Sequence, residues 1–530
     1  MRKKHILLLS CLAALPLYAQ NFNESVEVTN ELIIDMSDVQ RKTLPIDLPD
    51  SLSDFRLRFD YAVFEKPYKG AYEFSPYKVL LKPLTREAAS PSFVLKAGAG
   101  NAAEFDLLYS PDFGSPFSLD IYNDLDSYFG PYEGFRGQEL SNRFGIGGKY
   151  SFKNNSLSLN VEDRSIFVND AWNSNAFYNR FGLELDFARH KWMQDNLQHF
   201  YYDLSLSWHN AVQSASLQEN RFDFDAALAF PFRQKSRLNL DFKVSNTLLS
   251  GEVNSSAFEL HALPSLLFKM GEVSLKTGAG LSYFMLSSGS KFKVWPDVRL
   301  DIPFPLISQS FFAGVGGGVK LNSYSSLKEE WSHLCTAFTP GSDFSVLNYE
   351  KLNAYFGMKG YIDLLFYEFK TGWKSVSGAP LWSVNEDASA PLLLYGQYKS
   401  PYAQADLLWQ DRRLELSASL LWQKTDIAGN LPVYDLPAFS SSWKVMYNLM
   451  QRLYLGAQLE QCSARRFGQE NSSRPELAAW WDLGLCTEWR MDGNKALWLS
   501  CKNLLNNKIE QVPCIVRRGW LVSGGISLIF

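Results

Sequence analysis

Apolar and polar residues alternate one by one in segment after segment of this chain. Phe144, Ile146, Gly148, Tyr150 and Phe152 alternate with Gly145, Gly147, Lys149 and Ser151. Tyr202, Leu204, Leu206 and Trp208 alternate with Asp203, Ser205, Ser207 and His209. The same holds around Phe222–Leu228, Leu238–Val244 and Leu414–Trp422. Successive strand side chains point to opposite faces, so each segment has one apolar face and one polar face. A soluble β-sandwich shares that pattern, but two features favour a membrane barrel. Many segments reach about ten residues, the length of a tilted strand that crosses a bilayer. The polar faces also carry mid-strand charges, which a wet lumen accepts: Asp203, Asp223, Asp225, Lys243 and Glu415 are the lumen-facing candidates.

Composition agrees. Charged residues make up 20% of the chain and aromatics 15%, and mean hydropathy is −0.17. That is aromatic-rich for a soluble protein and too polar for a helical membrane protein. Residues 1–19 read as a secretory signal peptide: Arg2, Lys3 and Lys4, then an apolar stretch from Ile6 to Leu17. Its removal takes away three basic residues, so the mature charge is 49 − 56 = −7. No basic surplus remains, and no nucleic-acid partner is expected. Five mature cysteines, Cys335, Cys462, Cys486, Cys501 and Cys514, are an odd number. They leave open a loop disulfide such as Cys462 with Cys514 or a set of thiols.

The spacing of the segments sets the topology. If Phe530 ends on the periplasmic side, long connections fall on the outer side, near 124–141, 323–349, 385–400, 424–440, 463–475 and 503–517. The inner side has mostly short turns, an asymmetry that outer-membrane barrels show. The fold expected is all-β, a transmembrane antiparallel barrel over 91–530 with about 22 strands, an even number between 18 and 24. Trp520, Val522, Ile526, Leu528 and Phe530 share the apolar face of the closing strand and form the candidate C-terminal signal for the β-barrel assembly machinery. Residues 20–90 differ from the rest. Pro45, Pro49, Pro67, Pro76 and Pro83 interrupt any long strand, and Tyr61, Phe64, Tyr68, Tyr72, Phe74 and Tyr77 argue against full disorder. This extended, Pro-rich segment is expected either inside the lumen or as a periplasmic tail at the barrel rim.

Three stretches carry a family resemblance. Asn503-Leu504-Leu505-Asn506-Asn507-Lys508 looks like an Asn-Leu-x-Asn motif before a last strand. The closing strand Gly519–Phe530 and the entry Leu95–Asn101 fit the same pattern. With them the chain resembles the barrel part of TonB-dependent receptors, in the Bacteroidetes-type form that lacks the globular plug. The resemblance spans roughly residues 25–530 and implies a barrel of the transport class in the outer membrane of a Gram-negative bacterium. It carries over no binding residues.

Enzyme chemistry is not expected. The sequence holds no G-x-S-x-G, no P-loop and no dinucleotide fingerprint. His190, His199, His209, His261 and His333 are not spaced as metal pairs on one strand face. Neither a catalytic residue, a cofactor nor a metal is expected. Gly314-Val315-Gly316-Gly317-Gly318 lies inside a strand and marks close packing or a bend. Two functional expectations stand. In the first, a porin-like channel or transporter passes polar solutes, with the five lumen candidates setting charge selectivity. In the second, an occluded barrel serves as a scaffold for surface lipoproteins or for assembly and secretion machinery, with partner contacts on outer loops 323–349 and 376–400. Outer-membrane lipid surrounds the barrel in either case.

Overall fold

The computed structural model describes residues 92–530 except 112, 114–115, 133–134, 170–175, 190–196, 215–216, 306–307, 340–343, 345, 386, 388–389, 430, 451, 469–473 and 517–518. The signal peptide and the 20–90 segment expected from sequence lie outside the described residues.

Antiparallel pairing runs from one strand to the next along the chain. In order the strands are β1 (Phe93–Gly100), β2 (Ala102–Tyr109), β3 (Phe117–Tyr132), β4 (Phe135–Phe152), β5 (Asn155–Asn169), β6 (Ala176–Arg189), β7 (Tyr201–Gln213) and β8 (Leu217–Arg233). Then come β9 (Ser236–Gly251), β10 (Ser255–Met270), β11 (Val273–Leu286), β12 (Gly289–Phe304), β13 (Gln309–Leu321), β14 (Leu347–Ile362), β15 (Leu365–Val384), β16 (Pro391–Gln410) and β17 (Leu414–Gln423). The last third holds β18 (Asp426–Ile427), β19 (Phe439–Asn448), β20 (Leu453–Cys462), β21 (Arg465–Arg466), β22 (Glu476–Leu477), β23 (Trp480–Arg490), β24 (Lys495–Lys502), β25 (Glu510–Val512), β26 (Ile515–Val516) and β27 (Leu521–Ile529). β27 pairs with β1 from Val94↔Ile529 to Gly100↔Ser523, so the sheet closes on itself. The main sheet counts 23 strands, and β18 pairs only with β16, which leaves a closed ring of 22. Closure removes both sheet edges, and a strand structure can cross a bilayer only in that form.

The ring has two unlike faces. Phe222 and Phe224 on β8 are 50% and 39% exposed, while Asp223 between them is 6% exposed. Ile146, Leu157, Leu183, Leu206, Leu238, Leu497 and Ile526 repeat this outward apolar pattern from strand to strand. In water such a belt would be a liability; against lipid tails it is what holds the barrel in place.

The connections confirm the asymmetry and correct two of its details. One end carries the short turns, such as 153–154, 234–235, 271–272 and 363–364, and the other carries 322–346, 424–438, 463–479 and 503–520. Residues 124–141 are not a loop: β3 and β4 pair out to Tyr132↔Phe135. Residues 376–400 are largely strand as well. β15 and β16 pair all the way to Val384↔Pro391, with one register shift at Gly378, which has φ of 71°. The Gly, Pro and Ser content there hid two long strands, because in a ladder this long one bulge absorbs a residue without ending the pairing.

Candidate functional site at the outer mouth

The connection 322–346 carries a short helix, α1 (Tyr324–Glu330). Ser323 caps it by accepting from the Ser326 amide at 3.3 Å. Its apolar residues Tyr324 and Leu327, with Leu334, Phe338 and Phe344, form one buried cluster with Ile166, Val168, Tyr178, Ala211, Leu217 and Leu249. Those partners lie on β5 to β9. The same cluster takes in Trp382 of β15 and Leu393 of β16, from the far side of the ring. A segment can touch opposite walls of a closed barrel only from the enclosed side. The connection 322–346 therefore crosses the mouth.

Polar contacts pin it. Glu329 pairs with Arg164 at 3.2 Å and with Arg180. Ser325 donates to Glu219 from its amide, at 3.2 Å, and from its hydroxyl. The fully buried Lys328 ammonium donates to the Leu334 carbonyl at 2.8 Å, which folds the connection back on itself. Ser332 reaches Glu139 at 3.3 Å and Thr336 reaches Glu252 at 3.1 Å. Apart from the Lys328 bond, these contacts tie the connection to β4, β5, β6 and β8 and to Glu252 in the turn after β9.

The other long connections fill the rest of the mouth. Tyr434 pairs with Phe467 across 424–438 and 463–479, and its hydroxyl donates to the Arg474 carbonyl at 2.9 Å. Arg474 grips Glu510 with two bonds of 2.8 Å and donates to the Cys514 sulfur at 3.2 Å. Arg465 donates to the Glu510 and Gln511 carbonyls, each at 2.8 Å. Val512 and Ile515 join the cluster around α1. The five cysteines among the described residues are thiols, and Cys462 and Cys514 sit in separate apolar clusters.

Beneath α1 lies a polar cavity of about 200 Å³, lined by Arg180, His209, Glu219, Arg221, Asp223, Glu329 and three serines. Its wall continues down the inner face. Asp223 accepts from Arg221 at 2.9 Å and from Ser245, and Lys243 bridges Asp225 at 2.8 Å and Asp223 at 3.6 Å. Three of the five sequence candidates, Asp223, Asp225 and Lys243, thus form one network. Asp203 stands apart and accepts from Tyr201 at 3.3 Å. Glu415 is exposed beside a short turn on β17, far round the ring, so it belongs to no common site with the others. Trp520, Val522, Ile526, Leu528 and Phe530 share the outer face of the closing segment, and Trp520, Ile526 and Phe530 are strongly exposed. Sequence reasoning missed Arg164, Arg180 and Glu329. The one available signal was local: Ser323, then Tyr-Ser-Ser and Leu-Lys-Glu-Glu, is a helix start inside a loop. Among the described residues no group of three or more His, Cys, Asp or Glu stands ready to hold a metal ion.

With this geometry the likeness to solved structures is informative. The FrpB iron transporter from Neisseria meningitidis superposes with a TM-score of 0.62 at 11% identity, covering 86% of this chain and 83% of that one. The copper transporter OprC gives 0.60 at 12%, covering 83% and 81%. The siderophore receptor PirA from Acinetobacter baumannii gives 0.60 at 10%, covering 83% and 80%. The shared fold is a closed 22-strand antiparallel β-barrel. No protein-family model and no curated protein matches the chain. At these identities the likeness speaks for the barrel and not for its cargo.

Proposed function

We propose that the protein is an outer-membrane channel or transporter for small polar solutes, of the receptor-like, plug-less type that the sequence resemblance implies. The observation that carries this reading is the charged inner face that leads up to a mouth covered by the chain's own connections. Arg221, Asp223, Asp225 and Lys243 line the path beneath α1. Paired charges on a wet wall select solutes by sign and size without holding them tightly. The similar folds include an iron and a copper transporter, which supports a transport role in general terms.

Conductance across a planar bilayer tests it. The full-length protein should show low conductance. Replacing 324–344 with a short Gly-Ser linker should raise it several-fold, and Lys243→Glu should then shift selectivity toward cations. Silence in every form would tell against a channel. The interlocking of four connections favours a second reading, the occluded scaffold. In that case a surface lipoprotein should co-purify with the barrel whether or not 324–344 is present.

A further inference from the structure

β12 and β13 pair only from Phe304↔Gln309 to Val298↔Val315, although both strands continue toward the outer end. β12 keeps its pairing to β11 as far as Gly289, and β13 keeps its pairing to β14 as far as Leu321. Among the described residues, the outer half of β12 therefore has a ladder on one side only. The Val294 carbonyl on the bare side accepts from the Tyr349 hydroxyl at 2.5 Å, and the Lys293 ammonium lies 4.9 Å from the Tyr349 ring. Every second residue of an antiparallel strand shares an edge, so Ser290, Phe292 and Pro296 face the same side as Val294. Pro296 has no N–H to give, and the ladder stops beside it.

β13 meanwhile leaves the wall. Leu321 and Val319, with Leu347, pack against Ala257, Phe284 and Leu286, which are inner-face residues of β10 and β11. That cluster skips β12. The outer end of the β13–β14 hairpin therefore passes behind β12 into the barrel and carries the connection 322–346 with it. The bend falls at the glycine run, where the register shifts between Gly316 and Gly318.

The geometry points to a second seat for β13 on the bare edge of β12. The hairpin would move between an inner position that covers the mouth and a wall position that clears it. This rests on the channel reading above. Continuing the observed register past Val298↔Val315 sets Gly318 opposite Trp295, Val319 opposite Val294 and Leu321 opposite Phe292. Phe292 and Val294 face outward at 62% and 45% exposure, so Val319 and Leu321 would complete the lipid face begun by Phe311, Ala313 and Val315. Gly318 would give the Trp295 ring the kind of room it already takes over Gly280, where a Cβ would meet it at 2.0 Å. Both leucine and valine stay in apolar surroundings in either seat. Two terms hold the hairpin inward at rest: the packing of α1, and the meeting of Lys320 with Lys293 that the wall seat imposes.

Cysteine pairs in the full-length protein, held in outer-membrane vesicles, test this. Phe292→Cys with Leu321→Cys bridges the wall seat, and Ala257→Cys with Leu321→Cys bridges the inner one. Single substitutions control for the native thiols. Gly317→Val biases the equilibrium, because a Cβ there meets the Glu350 carbonyl and the Trp295 Cβ at 2.7 Å in the inner position. On the wall that side chain would face lipid. Both pairs are expected to cross-link under mild oxidation, and Gly317→Val should raise the wall yield several-fold. A wall pair that stays unlinked while the inner pair links fully, with and without Gly317→Val, overturns the proposal. Conductance reads the channel separately: a linked wall pair without increased conductance supports two seats and tells against the channel.

Discussion

Single residues mark where lipid, water and turn chemistry each take over. Leu206 sits mid-strand on the outward face of β7 and is 52% exposed. Leu206→Arg should cost about 2–4 kcal/mol near the bilayer midplane, read as a lowered urea midpoint for the barrel refolded in lipid vesicles. At the loop before the closing strand, Asn503 and Asn506 hold left-handed backbone with φ of 47° and 49°. Asparagine tolerates that region better than most residues because its side chain bonds to nearby backbone. Asn503 does so twice, accepting from the Asn507 amide and donating to the Asn507 carbonyl, each at 3.0 Å. Asn503→Ala loses both bonds and keeps the strained backbone, a cost of about 1–3 kcal/mol. A lower temperature of heat modification on SDS gels checks it. The motif that carried the family resemblance thus acts as a turn device.

At the scale of elements, the connection 322–346 is held by a buried apolar cluster and by ion pairs to facing strands. Glu329→Gln weakens both arginine contacts. Because these side chains keep roughly a quarter of their exposure, the loss should be about 1–2 kcal/mol. Faster proteolysis of the connection, with the barrel intact, is the expected readout. Glu330 next to it touches water yet is crowded by the surrounding wall. That crowding pushes its carboxyl up to about 7 from 4.5, and Lys320 pulls partly the other way. A carboxyl raised in the seated state binds its proton more tightly there. The seat is therefore most favoured below pH 4.5 and loses that advantage as pH rises to about 7. Proteolysis of the connection should be faster at pH 8 than at pH 5, and Glu330→Gln should flatten the difference.

On the scale of the whole molecule, closure decides stability. Phe530 exchanges backbone hydrogen bonds with Phe93 at 2.8 and 3.0 Å, and their rings lie 6.2 Å apart. The first and last strands thus meet through the terminal aromatic. Deleting the last three residues, Leu528 to Phe530, should leave β1 with an exposed edge. The expected outcome is loss of the heat-modifiable folded band and accumulation of unfolded protein, measured in membrane fractions. Full-yield folding of the truncated chain would contradict this view of closure.

Period-two alternation, together with strand length and mid-strand charge, determined the barrel, because every strand must show lipid one face and a wet interior the other, and that demand is written residue by residue. The same alternation placed Asp223, Asp225 and Lys243 on the polar side and Trp520, Val522, Ile526, Leu528 and Phe530 on the apolar side. Glycine inside a strand marked the run in β13 as close packing or a bend. Tertiary structure alone decided which charges meet. Glu415 and Asp223 look alike in sequence, yet the ring sets them far apart and gives only Asp223 an arginine and a lysine. The inward path of 322–346 was likewise hidden. Its anchors, Ile166, Tyr178, Leu249 and Trp382, are ordinary strand residues until the sheet closes and brings opposite walls within reach of one helix. Local pattern records which face a residue takes, whereas the partner across the barrel depends on curvature and closure, which no short stretch of sequence contains.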